Sequence, residues 1–258
     1  MDPKEVLAAF DRQMRRDAPA EGAGARVERA GDVVRQTGGA HDWNGVLWSD
    51  LRDGTAARAV AEQVEHFSPL GVGFEWKLYS HDRPAALARH LRAAGFVPGP
   101  PESLMVAESA AQTGGAGPPD GVRLLPVTEA AGVDLLADVH ELAFGEDAGA
   151  LRERLKDRLA RAPETLAAVV VLADGVPVSA SRMELVPGTD FAGLWGGGTV
   201  PRWRGRGLYR AQIAHRARIA AARGYRFLQV DAAETSRPVL DRLGFTTLST
   251  TTPYVYKP

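Results

Sequence analysis

Apolar residues in the first half of the chain recur with two different periods. Helical spacing predicts three helices, at residues 3–16, 55–67 and 84–94. Short apolar or alternating runs predict three strands, at residues 46–51, 72–79 and 103–107. After the first helix, the predicted order is therefore strand, helix, strand, helix, strand, which is typical of an α/β arrangement.

The second half contains more strands than the first. Strands are predicted at residues 122–127, 166–172, 176–185, 191–200 and 227–230, with further short strands at the C-terminus. Helices are predicted at residues 133–144, 150–161, 208–223 and 237–243. The turn at Asp174-Gly175 joins two strands directly, as in a meander. The whole chain is therefore expected to be α/β, with a mixed sheet in which strands run in both directions.

A stretch of small residues and prolines divides the chain near its middle. Residues 108–122 read ESAAQTGGAGPPDGV and lack apolar periodicity, which is typical of a linker. We therefore predict domains at residues 1–110 and 122–258, with a linker at 111–121. Both halves end similarly, in AAGFVP and DRLGFTT, which indicates a tandem repeat whose first copy is abbreviated.

Composition excludes several classes of function. The 31 basic and 32 acidic residues nearly balance, so no overall field would attract nucleic acid or an anionic membrane. The sequence has no long apolar run and no signal-like start, so a cytoplasmic location is expected. It has no cysteine, and its six histidines lack metal-binding spacing, so no metal is expected. A small neutral or mixed-charge partner fits this composition better.

The most informative segment is GTVPRWRGRGLYRA, which begins at Gly198 and lies between a predicted strand and a predicted helix. Its glycines let a ligand approach the backbone, and the free amides of a first helical turn bind anions such as pyrophosphate. Arg202, Arg204 and Arg206 add positive charge. The spacing matches neither the Walker loop nor the dinucleotide fingerprint, whose third glycine position holds Arg210. Taken alone, such a loop can equally be a solvated turn.

In its context, this loop resembles that of the GCN5-related N-acetyltransferase (GNAT) family. Val200, Pro201, Arg204 and Gly207 match the family's acetyl-CoA loop, and residues 227–230 and 234–245 look like its next strand and helix. The resemblance implies a GNAT fold and acetyl-CoA, or another acyl-CoA, bound between two splayed parallel strands. The implied cofactor-binding residues are Gly198, Thr199, Val200, Arg204, Gly205, Arg206, Gly207, Leu208 and Tyr209.

The resemblance also implies direct attack of an amine on the thioester, a reaction that depends mostly on proximity. Leu240 replaces the tyrosine that protonates the leaving thiolate in many members, and Ala233 replaces an asparagine. Tyr209 stands where the family motif has a glycine or alanine. Glu184 is the candidate general base, although a solvated surface position is the commoner role for such a residue. Other loosely placed candidates are Asp190, His140, Glu141, Glu146 and Asp147.

The first half has no equivalent basic loop, because its predicted strand meets its helix through Arg52-Asp53-Gly54. It is therefore expected to bind no CoA and to act as a scaffold or as one wall of an acceptor cleft. Three hypotheses remain open for the whole protein. It is an N-acetyltransferase acting on an amine of a small molecule or peptide, a non-catalytic acyl-CoA sensor, or a structural partner without CoA affinity. A monomer or a homodimer is expected.

Overall fold

The computed structural model describes residues 1–22, 24–39, 42–114 and 117–258. In this part of the chain, strands β1 to β12 cover Arg26–Ala30, Val33–Thr37, Gly45–Ser49, Phe74–Tyr79, Val97–Pro98, Glu102–Glu108, Val122–Val127, Leu166–Ala173, Val176–Leu185, Phe191–Thr199, Phe227–Ala232 and Thr246–Tyr256. Helices α1 to α7 cover Pro3–Phe10, Asp53–Phe67, Leu87–Ala93, Ala130–Phe144, Gly149–Arg161, Leu208–Ala222 and Arg237–Arg242. The predicted mixed α/β class is confirmed.

These elements form two compact units. The first unit comprises Met1–Met105, Asp231–Leu240 and Thr246–Pro258, and the second comprises Val106–Val230 and Asp241–Phe245. The units therefore differ from the consecutive domains predicted at 1–110 and 122–258, because the last strand clusters with the first unit. Residues 106–114 and 117–121 cluster with the second unit, and residues 115 and 116 of the predicted linker lie outside the described residues.

The sheet of the first unit contains β1-β2-β3-β4-β12 in that spatial order. β1, β2 and β3 are antiparallel neighbours, whereas β3 and β4 are parallel and are connected through α2. β12 runs antiparallel to β4 from Thr251 opposite Tyr79 to Tyr256 opposite Phe74. The C-terminal strand therefore completes a sheet that begins near the N-terminus.

Several aromatic residues pack together in the core of the first unit. Phe67 of α2 stacks on Phe74 of β4 at 4.2 Å between ring centroids, and Phe96 meets Phe74 edge-on at 5.1 Å. Trp76 and Tyr254 are buried in the same cluster. Because Tyr254 comes from β12, the packing as well as the strand pairing ties the C-terminus to this unit.

The sheet of the second unit contains β11-β10-β9-β8-β7 in that order. β7 to β10 form an antiparallel meander, and β10 and β11 are parallel neighbours. α4 and α5 pack on one face through Leu136, Val139 and Leu155. Leu208 of α6 packs with Val171 and Val178 in a separate cluster. The meander is thus covered by helices, with α6 following directly after the β10 loop.

Candidate functional site

β10 and β11 pair over a short distance and then separate. Their register covers Phe191 opposite Phe227, Ala192 opposite Leu228 and Gly193 opposite Gln229. The residues of β10 after Gly193 have no partner on β11 in the described structure. An opening between parallel strands exposes backbone groups that a strand-like ligand can bind. The predicted splay of these two strands is therefore present.

A bulge interrupts β10 beside this opening. The register with β9 shifts between Trp195 and Gly198, and Gly196 adopts a φ of 58° that favours glycine. A Cβ at Gly197 would lie 2.7 Å from Tyr209, and one at Gly198 would lie 2.7 Å from Phe144. Aromatic rings thus cover the backbone of these two glycines, and only glycine fits beneath them.

The loop before α6 presents unpaired backbone amides. Gly205 and Gly207 have φ values of 75° and 79°, and no atom lies within 4 Å of a Cβ built on either residue. No side chain caps α6, whose first backbone bond after the loop runs from Ala211 to the Gly207 carbonyl at 3.0 Å. Among the described residues, the amides of 205–210 have no acceptor. This is the environment that an anion at a helix N-terminus requires.

Several backbone groups assigned to the cofactor by sequence already have partners. The Val200 amide donates to the Val178 carbonyl at 3.0 Å, and the Arg204 amide donates to the Pro201 carbonyl at 3.2 Å. The Gly198 carbonyl accepts from Ser179 Oγ at 2.6 Å. The free amides of the loop therefore begin at Gly205.

The arginines of the loop differ in their contacts. Arg204 donates from Nε to the Thr199 carbonyl and from Nη2 to the Ala143 carbonyl, each at 3.0 Å. It therefore fastens the loop to the end of α4. The Arg206 guanidinium lies 4.5 Å from the centroid of the Trp203 ring, and Arg202 is exposed. Of the three arginines, Arg202 and Arg206 are therefore better placed than Arg204 to bind phosphates.

Beneath the loop, α6 carries a buried cation. Arg216 is 1% exposed and donates to the carbonyls of Gln212 at 3.2 Å and Arg182 at 2.8 Å. No carboxylate pairs with it in the described part of the chain. Burial lowers the pKa of Arg216 to about 10; Tyr209 opposes this effect, and the charge of Arg182 adds a smaller lowering. Burial also raises the pKa of Tyr209.

Glu184 lies on β9 opposite Gly193, and the Trp195 ring folds over that glycine. The Oε1 of Glu184 accepts a hydrogen bond from Arg182 Nε at 3.0 Å, and the Oε2 of Glu184 lies 3.2 Å from Arg158 Nη1. A carboxylate that holds two guanidinium groups in place has a structural role, and it would have to release one of them to accept a proton. The prediction that Glu184 is the general base stays a prediction.

His140 on α4 is the candidate base that sequence could place only loosely. Its ring lies 4.6 Å from that of Phe144, which covers Gly198. Burial and the nearby charge of Arg182 lower the pKa of His140, so the neutral imidazole prevails at neutral pH. A neutral imidazole beside the bulge can accept a proton from a reacting amine. Helical spacing alone could not have shown which side of α4 this residue occupies.

Leu240 and the two tyrosines of β12 are packed into cores. Leu240 is 0% exposed, and Tyr254 is 3% exposed within the aromatic cluster of the first unit. Tyr256 also packs against that cluster. These tyrosines serve as sheet and core residues of the first unit.

The equivalent turn in the first unit is closed. The amides of Thr55 and Ala56 both donate to the Arg52 carbonyl at 3.0 Å, and Thr55 Oγ1 accepts from the Arg52 amide at 3.3 Å. Asp53 adds negative charge to the first turn of α2. These contacts satisfy the amides of Thr55 and Ala56, and this turn carries an acidic residue where the second unit's loop carries arginines.

Neither a metal site nor a membrane span is found within the described ranges. Those residues contain no cluster of three or more histidines and carboxylates suited to a metal ion. Likewise, none of their helices combines the length and hydrophobicity that a bilayer crossing requires.

A cavity of about 420 Å³ lies at the opposite end of α6 from the loop, beside Gly224, Tyr225 and Phe227.

No protein-family model and no curated protein sequence matches the chain. Solved structures do resemble it. The GCN5-related N-acetyltransferase from Kribbella flavida superposes with a TM-score of 0.69 and 18% identity, covering 99% of this chain and 94% of that one. A GCN5-related N-acetyltransferase from Sphaerobacter thermophilus reaches 0.58 at 16% identity, covering 99% and 86%.

A tandem GNAT protein from the clavulanic acid biosynthesis pathway also reaches a TM-score of 0.58 at 15% identity, covering 92% of this chain and 85% of that one. At these identities, the likeness concerns the fold. The splayed parallel strands, the bulged β10 and the open loop before α6 agree with it. The chain therefore has the GNAT fold, in a form consistent with a tandem arrangement.

Proposed function

We propose that this protein transfers an acyl group, with acetyl as the simplest case, from acyl-CoA to an amine. The observation that carries the proposal is the row of free amides at 205–210, next to strands that separate after Gly193. A pyrophosphate would satisfy those amides and interact favourably with the α6 dipole. The separated strands would accept the extended pantetheine arm alongside.

The second unit is the part that we assign to this reaction. In it, the amine nitrogen would attack the thioester carbonyl, forming the C–N bond as the C–S bond breaks. The amine's proton would go to His140, whose lowered pKa keeps it neutral and able to accept. The CoA thiolate would take its proton from solvent, because Leu240 is buried and carries no acidic group. Positioning of the two reactants would supply most of the rate enhancement.

A non-catalytic acyl-CoA sensor is the rival function. Its support is the apolar Leu240 where many GNAT enzymes carry a tyrosine, while the neutral His140 beside the bulge supports the enzyme. The two functions share acyl-CoA binding and differ in turnover.

Single-turnover transfer separates them. Protein is mixed with less than one equivalent of radiolabelled acetyl-CoA and a panel of primary amines, and both free thiol and labelled amine are measured. The enzyme hypothesis predicts stoichiometric label on at least one amine, with thiol release that is slowed about a hundredfold in His140→Gln. Tight acetyl-CoA binding without label on any amine would instead support the sensor.

A further inference from the structure

A second guanidinium in the second unit has terminal nitrogens without a partner. Arg182 on β9 is 11% exposed at its side chain, and its Nε is bonded to Glu184. No acceptor lies within hydrogen-bonding distance of its Nη1 or Nη2 in the described part of the structure. Neither terminal nitrogen is fully shielded from solvent, so a ligand can reach this end of the guanidinium and its paired N–H donors.

The free end of Arg182 lies against the bulge of β10. A Cβ built on Gly196 would lie 2.9 Å from Arg182 Nη1, and Arg182 Cζ lies 6.0 Å from the centroid of the Trp195 ring. The backbone carbonyl of Arg182 accepts from Arg216, which fixes this part of β9 from the α6 side. The guanidinium is therefore held in place next to the glycines where the two parallel strands have separated.

Charge in this cluster is unbalanced. Arg158, Arg182 and Arg216 supply three positive charges and Glu184 supplies one negative charge, so the four residues carry a net charge of +2. The lowered pKa values of Arg216 and His140 have the charge of Arg182 among their causes. A bound anion would offset this excess, and a carboxylate matches the planar fork of a guanidinium.

We propose that Arg182 binds a carboxylate of the substrate through Nη1 and Nη2, so that the protein acts on a reactant that carries a carboxylate near the reacting atoms. This inference rests on the proposed acyl transfer and narrows it. Two reactants can supply the group: a dicarboxylic acyl chain on CoA, or an amino acid as the acceptor amine. The Arg182 contact is the same in both cases.

Two matched pairs of probes distinguish the sources. Calorimetric titration with succinyl-CoA and with acetyl-CoA tests the acyl chain. Titration at saturating acetyl-CoA with an amino acid and with the amine lacking its carboxylate, such as β-alanine and ethylamine or glycine and methylamine, tests the acceptor. We expect the additional carboxylate to strengthen binding about tenfold or more in at least one series.

Variants then assign the effect to one side chain. Arg182→Gln should abolish the preference, and Arg182→Lys should retain part of it. Arg158→Gln removes the same charge from the other side of Glu184 and should leave the preference intact. All three should bind acetyl-CoA as the parent does, which shows that the second unit remains folded.

The outcomes separate this inference from the function on which it rests. Normal acetyl-CoA binding with no preference in either series would overturn the inference alone, as would a preference that survives in Arg182→Gln. Absence of acetyl-CoA binding by the folded parent would overturn the proposed function and this inference together.

Discussion

At the scale of single residues, the first unit places an ion pair between Lys77 and Asp231 inside its fold. Lys77 Nζ bonds Asp231 Oδ2, and the Asp231 side chain is 2% exposed. Burial alone would lower the pKa of Lys77, but the charges of Asp231, Tyr79 and Glu75 and the hydrogen bond to Asp231 together outweigh it and raise that pKa above its usual value. Asp231 makes the largest of these favourable contributions.

Removal of both partners should cost less than the sum of the two single removals. We expect Lys77→Met and Asp231→Leu each to lower the free energy of unfolding by about 3–5 kcal/mol, because each removes the opposite charge that lies against a buried one. The double variant should lose clearly less than the sum of the two. Urea unfolding followed by tryptophan fluorescence measures this cycle, and additive losses would contradict a mutual pair.

Two histidines of the second unit should make stability depend on pH. Burial and neighbouring arginines lower the pKa of His140 and of His215, so the native state disfavours their protonated forms. The contribution of these histidines to the free energy of unfolding is complete above the pKa of an unfolded histidine, about 6.5. It is lost as the pH falls through their lowered native pKa values.

The melting temperature should therefore fall between pH 7.5 and 5.5, and it should fall less steeply in a His140→Gln/His215→Gln double variant. Scanning calorimetry across this range measures both slopes. Equal slopes for parent and variant would show that other groups control the effect.

The sequence predicted which residues form the turn before α6, but it did not predict the contacts that each of them makes. Glycine and arginine spacing predicted the turn before α6, because free amides and positive φ depend on local chain geometry. The contacts of Arg204 with Ala143, and of Arg182 with the bulge, connect residues far apart in the chain. Strand register decides such contacts, and no local pattern encodes it.

At the scale of elements, the close approach of β3 to β4 depends on one glycine. A Cβ on Gly45 would lie 2.2 Å from the Glu75 carbonyl oxygen. Because that atom belongs to the neighbouring strand's backbone, the strands would have to move apart to admit a side chain.

We expect Gly45→Ala to destabilise the protein by about 3 kcal/mol. Gly54→Ala is the matched control, since no atom lies within 4 Å of a Cβ at Gly54, in the first turn of α2. It should leave stability unchanged or slightly increased. Thermal unfolding compares the two, and equal effects would contradict a steric role for Gly45.

Periodicity predicted most helices and strands but missed the β1–β2 hairpin. Both strands of this hairpin are short. The residues of Arg26–Ala30 are exposed or only partly buried, so the hydrophobic periodicity of this region is weak. The turn at Gly31, with a φ of 61°, was the available signal. The terminal strands were predicted as short pieces, whereas β12 is one strand from Thr246 to Tyr256.

At the scale of the whole molecule, the C-terminal strand belongs to the first compact unit. β12 pairs with β4 and supplies Tyr254 and Tyr256 to the aromatic packing around Phe74 and Trp76. Local sequence could not predict this, because the order of strands in a sheet differs from their order in the chain.

A fragment of residues 1–110 should therefore fail to unfold cooperatively, since it lacks β12. Appending residues 246–258 through a flexible linker should restore part of the transition, whereas an appended sequence of scrambled order should not. Circular dichroism during heating measures this. A cooperative transition in the short fragment would show that the first unit is stable without its last strand.

The proposed function of the whole protein depends on the open loop before α6. Calorimetric titration with acetyl-CoA of the parent, Gly207→Glu and Gly224→Glu tests it. Both glycines have positive φ, 79° and 83°, and open space around them, so the two variants share the same backbone strain and added charge.

Only Gly207→Glu places that charge at the amides of 205–210, since Gly224 follows the other end of α6. We predict saturable binding by the parent and by Gly224→Glu, and its loss in Gly207→Glu. Unchanged binding in Gly207→Glu, or no binding by the folded parent, would contradict the assignment of the loop as the pyrophosphate site.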